Sequence, residues 1–101
     1  MPKFHFEIPH TLPADEARSR LERFAESLQL KFADKVSDLN QQWNGNTLAF
    51  GFKTFGIKIA GDVTALDQKL DVNGEIPLTA MMFKGKIESE VREQLARLMR
   101  A

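Results

Sequence analysis

The sequence predicts an α+β fold: a mainly antiparallel five-stranded sheet with two helices on one face, in the order β-α-β-β-β-β-α. Three observations predict it. Apolar residues alternate with polar ones in five short segments, and recur at spacings of three and four in two longer ones. Turn residues punctuate the middle of the chain at short intervals. One apolar sheet face and two apolar helix stripes then close on each other as a two-layer sandwich.

Phe4, Phe6 and Ile8 alternate with Lys3, His5 and Glu7, which predicts a half-buried strand. Pro9 and the stretch Thr11-Leu12-Pro13 end it. Pro13 suits a first helical turn, and Asp15 and Glu16 sit favourably at the positive end of the helix dipole. Ala17, Leu21, Phe24 and Leu28 set an apolar stripe on a helix reaching about Phe32, with Glu16/Arg20 and Arg18/Glu22 four apart on its wet side.

Four strands follow as a meander. Leu39 and Trp43 share a face before Asn44-Gly45-Asn46, a hairpin signal. Leu48, Phe50 and Phe52 alternate next, Thr54-Phe55-Gly56 turns the chain, and Ile57, Ile59 and Val63 alternate after it. Leu66-Asp67-Gln68-Lys69 turns it again before Leu70, Val72 and Ile76. The apolar residues are odd-numbered, even, odd and even on successive strands. Two-residue turns therefore keep them all on one side, because directly opposite residues share a face. With Asp67-Gln68 as the last turn, Val63 faces Val72, Ile59 faces Ile76, and Gly61 faces Gly74.

Pro77 stops the last strand. Leu78-Thr79-Ala80-Met81-Met82-Phe83 has no clean period. A second helix runs from about Gly85 to Met99, with Ile87, Val91, Leu95 and Leu98 as its stripe. Glu88/Arg92 and Glu93/Arg97 pair along it, glutamate leading. The order is similar to a shortened helix-grip fold, in which a C-terminal helix lies along a curved sheet.

The composition bounds the function. A chain of 101 residues, 43% apolar and 28% charged, is read as a single globular domain spanning 1–101. Fourteen lysines and arginines balance 14 aspartates and glutamates, so no positive field draws in nucleic acid. The absence of cysteine removes disulfides, thiolate metal sites and cysteine nucleophiles together, and fits a reducing compartment. The opening alternates rather than forming an apolar signal run, and no stretch approaches the ~18 apolar residues of a transmembrane span. The expectation is a cytoplasmic protein.

Three segments carry a family resemblance: Met1-Pro2-Lys3-Phe4-His5-Phe6-Glu7-Ile8-Pro9-His10, then Trp43-Asn44-Gly45-Asn46-Thr47-Leu48 running through Phe50, Phe52-Lys53 and Gly56, and last Phe83-Lys84-Gly85-Lys86-Ile87-Glu88. In these the chain resembles the polyhydroxyalkanoic acid system proteins, also called the polyhydroxyalkanoate granule-region family. The resemblance implies a setting in polymer storage, with a granule surface or granule-associated protein as partner. It implies no catalytic residues.

The residues themselves point to no catalytic site. Ser19, Ser27, Ser37 and Ser89 lack a Gly-x-Ser-x-Gly elbow. His5 and His10 have no metal-ligand spacing and read as an exposed strand residue and a loop or capping residue; no metal or cofactor is expected. Gly51 to Lys58 fails as a phosphate loop, because its lysine does not follow the second glycine and it joins two strands.

Two features are candidates for binding. Gly61 and Gly74, facing each other on the apolar side, leave either a close seat for a helix or a bend in the sheet, the favoured reading, or a groove for an acyl chain between the sheet and the C-terminal helix. Met81, Met82 and Phe83, flanked by Lys84 and Lys86, either plug the end of the core, the favoured reading, or lie on an apolar or anionic surface such as a granule boundary. An exposed sheet edge is also a route to a homodimer.

Overall fold

The computed structural model describes residues 3–31, 34, 37–54 and 56–100. The chain runs β1 (Lys3–Pro9), α1 (Ala14–Lys31), β2 (Ser37–Asn44), β3 (Thr47–Thr54), β4 (Ile57–Leu66), β5 (Lys69–Glu75), a 3-10 segment (Leu78–Phe83) and α2 (Lys84–Leu98). This is the expected α+β order, with one added element: the segment without a clean period is a 3-10 helix. The expected end of the first helix at Phe32, and Phe55 of the second turn, lie outside the described residues.

The five strands form one antiparallel sheet in the order β1-β5-β4-β3-β2. Each hairpin closes through two residues, with Asn44 opposite Thr47, Thr54 opposite Ile57 and Leu66 opposite Lys69. Gly45 and Gly56 take left-handed φ of 62° and 75°, which a Cβ would disfavour. Gln68 does the same at φ 67° without being glycine. The β1–α1 loop holds it there. Gln68 N–H donates to the Leu12 carbonyl at 3.1 Å, and the Gln68 carbonyl accepts from His10 N–H at 2.8 Å.

The parity expectation holds. Phe50 lies opposite Gly61, Val63 opposite Val72, and Gly61 opposite Gly74, so the apolar sets share one face. Phe4, Phe6, Ile8, Leu48, Val63, Ala65, Leu70 and Val72 bury themselves there against Ala17, Leu21 and Ala25 of α1, Leu95 of α2 and the following Met99. Leu28, expected on the α1 stripe, is exposed; Ala25 takes the buried place one turn earlier. Ile76 is fully buried just past the end of β5.

The opposite face is a ladder of polar pairs. Glu7 bonds Lys69 at 2.7 Å, His5 Nε2 meets Asp71 at 2.5 Å, Lys3 lies 3.5 Å from Glu75, and Asn73 donates to Asp62 at 3.1 Å. Each pair is solvated and contributes little alone, but together they keep that face wet.

Side chains also tie helices to distant segments. Asp67, in the β4–β5 turn, accepts the Ala14 N–H at 2.8 Å and so caps α1 from 53 residues away. Arg20, held by Glu16 at 3.2 Å, donates to the Leu98 carbonyl at 3.2 Å and to the Arg100 carbonyl, closing the end of α2. The expected Glu93/Arg97 pair forms at 2.6 Å. Arg92 instead lays its guanidinium over the Phe6 ring at 4.5 Å.

Candidate functional site: an exposed apolar ridge beside two lysines

A 3-10 helix repeats every three residues, so residues i and i+3 share a row. In Leu78–Phe83 the rows are Leu78 with Met81, Thr79 with Met82, and Ala80 with Phe83. Only one row can face the core. Ala80 takes it and is fully buried, and Phe83, in the same row at the end of the segment, is only half covered at 48% exposure; of the other rows Leu78 is 73% exposed, Met82 83% and Met81 47%. The reading in which Met81, Met82 and Phe83 plug the core is therefore overturned: alanine is the plug, and the large side chains stand outside.

Pro77 supplies the extended entry to this segment, at φ −69° and ψ 158°, and its carbonyl accepts the Ala80 N–H at 2.9 Å. Lys84 and Lys86 continue directly into α2, Lys86 exposed and Lys84 half-buried. The result is an exposed run of four large apolar side chains bordered by two ammonium groups. Exposed apolar side chains grouped in this way mark contact surfaces.

At Gly61 and Gly74 the nearest atoms on the Cβ side belong to neighbouring strands rather than to a helix. A Cβ on Gly74 would collide with the Phe4 ring, its directly opposite neighbour on β1, and one on Gly61 would meet Phe50 at 3.2 Å as well as backbone. The aromatic side chains of the flanking strands thus lie over the glycines, a known way of shielding glycine in sheets. A shallow depression of about 620 Å3 lies over this part of the sheet, but beside both glycines, Phe4 and Phe50 it is lined by Lys3, His5, Asp62, Asn73 and Glu75 of the polar face, so it is not an apolar groove between sheet and helix.

Neither histidine gathers ligands. His5 is exposed on β1 against Asp71. His10 Nδ1 accepts the Leu12 N–H at 3.0 Å, a loop-shaping bond. Among the described residues no group of three or more His, Asp or Glu is placed to hold a metal ion, and no helix is long and apolar enough to cross a membrane.

The fold and this segment define a small α+β protein with exposed apolar side chains beside two lysines. Its family follows from comparison with known proteins. The model described as "Putative polyhydroxyalkanoic acid system protein" matches residues 4–99, so the chain belongs to that family. Among curated proteins and solved structures, none matches it.

Proposed function

We propose that this chain is an accessory, non-catalytic protein of the polyhydroxyalkanoate system that docks on the surface of the storage granule. One observation carries the proposal: Leu78, Met81, Met82 and Phe83, gathered in one 3-10 segment, are exposed to solvent. Burying a leucine or methionine side chain is worth about 1.5–3 kcal/mol. Leu78 and Met82 alone thus supply a gross attraction of several kcal/mol, from which the cost of association is drawn. Lys84 and Lys86 favour a boundary carrying anionic groups.

Co-sedimentation tests this with two kinds of particle, native granules and polymer particles stripped of protein. Wild-type chain is expected to pellet with both. Met82→Asp and Phe83→Asp, with circular dichroism as the check that each still folds, are expected to bind at least about tenfold more weakly, the equivalent of 1.4 kcal/mol. Wild-type chain remaining in the supernatant with both particles refutes docking. Pelleting with native granules alone makes a granule protein the partner.

A further inference from the structure

We infer that β2 is a self-pairing edge, and that two copies of this chain join by antiparallel β2–β2 pairing centred on Gln41. The strand order leaves β1 and β2 as the two edges of the sheet. They are not equivalent. β1 is packed by α2 and ends in Pro9, whereas the extensive packing of β2 is with β3. Sheet edges are ordinarily blunted by charge, proline, a bulge or a covering element. From Leu39 to Asn44 the edge reads Leu-Asn-Gln-Gln-Trp-Asn, without charge or proline. The irregularity in its pairing falls earlier, between Ser37 and Asn40, where Asp38 takes a φ of 53°. Beyond it, Asn40 to Asn44 pair with β3 in unbroken register, and among the described residues no strand pairs with their outer side.

The side chains select the partner. A two-fold axis normal to the sheet keeps both apolar faces on the same side only if the axis passes through a residue, because side chains alternate along each strand. With Gln41 at the axis, Leu39 of one copy lies opposite Trp43 of the other, and Asn40 opposite Gln42. On the helix side two Leu39–Trp43 pairs flank a Gln41–Gln41 amide pair, since Gln41 lies opposite Phe50 and shares that face, and on the wet side amide meets amide. Moving the axis to Gln42 sets Trp43 against Gln41 and loses the match. The chain carries no net charge to oppose self-association. The strand is also held in place beforehand. Arg18 of α1 stacks its guanidinium 4.4 Å above the Trp43 ring, and its Nε donates to the Gly45 carbonyl at 3.1 Å. Such preorganisation lowers the cost of association.

The absence of cysteine makes the test clean. Wild-type protein is expected to sediment at twice the chain mass as concentration rises. Gln41→Lys sets two ammonium groups against each other at the axis and is expected to raise the dissociation constant at least tenfold. Opposite Cα atoms in an antiparallel pair lie roughly 4.5–5.5 Å apart, within disulfide reach. Gln41→Cys should therefore give a covalent dimer under mild oxidation. Gln42→Cys should not, because its counterpart is offset by two residues along the strand, beyond the ~7 Å limit. A wild-type monomer at all concentrations overturns the inference. So does a dimer unaffected by Gln41→Lys, or equal cross-linking of the two cysteine variants.

Discussion

Replacing Gly74 with alanine puts a methyl group where the Phe4 ring already lies. The ring's Cε1 and Cε2 would stand 2.6 and 2.8 Å from the new Cβ, well inside van der Waals contact. The ring has little freedom to retreat, since Phe4 is buried and stacks on Phe6 with ring centroids 6.0 Å apart. Overpacking of this kind costs about 1–3 kcal/mol. Alanine also restricts the unfolded chain, an opposing gain of about 0.4–1 kcal/mol. The clash wins, leaving a loss of about 1–2 kcal/mol. At roughly 4–8 °C per kcal/mol for a domain of this size, Tm falls by about 5–15 °C. Urea unfolding followed by circular dichroism measures the change. Phe4→Ala alone costs about 3–5 kcal/mol through its cavity. In the double variant the new methyl group enters vacated space, so the two losses add to less than their sum. A neutral Gly74→Ala, or strict additivity with Phe4→Ala, would refute the idea that the ring of one edge strand fills the place of its neighbour's missing side chain.

Three further outcomes follow from the tertiary ties. Arg20→Ala is expected to cost about 1–2 kcal/mol, because two carbonyls at the end of α2 lose a charged donor, whereas Arg97→Ala, breaking only an exposed pair with Glu93, changes stability by less than about 0.5 kcal/mol in the same urea assay. Asp67→Ala removes the cap on α1, costs about 1 kcal/mol, and raises amide exchange in the first turn after Pro13. Lys69 has its pKa raised above the ordinary 10.5, first by its hydrogen bond to Glu7 and then by that carboxylate's charge. The Glu7–Lys69 contribution is therefore complete below pH 10.5 and fades as the pH rises through the higher folded value. An NMR titration of Lys69 Nζ should show this, and Glu7→Gln should return the midpoint toward 10.5.

What could be read in the sequence was local or periodic. Five alternating segments, turn residues at fixed offsets and a consistent parity define the β2 to β5 meander, and the structure pairs Gly61 with Gly74 as that parity requires. Pairings distant in sequence left no such trace. That Phe4 lies on Gly74 depends on β1 docking against β5, 70 residues away, and neither segment carries its partner's register. Asp67 and Arg20 look like ordinary turn and surface residues until Ala14 and Leu98 are brought beside them. The exposure of Leu78–Phe83 escapes sequence reasoning for a different reason. Hydrophobicity argues for burial, but in a three-residue repeat burying the Ala80 row turns Leu78 and Met82 outward. A run of large apolar residues around one alanine, straight after Pro77, was the available signal.

The most direct test of the docking claim is oxidative footprinting of the methionines with dilute peroxide, in free protein and in protein pelleted with granules. Free in solution, Met82 at 83% exposure should oxidise fastest and Met81 next, with Met99, 3% exposed, slowest. On granules the account predicts strong protection of Met81 and Met82 and an unchanged rate at Met99. Pelleted protein whose Met82 oxidises as fast as in solution would contradict it.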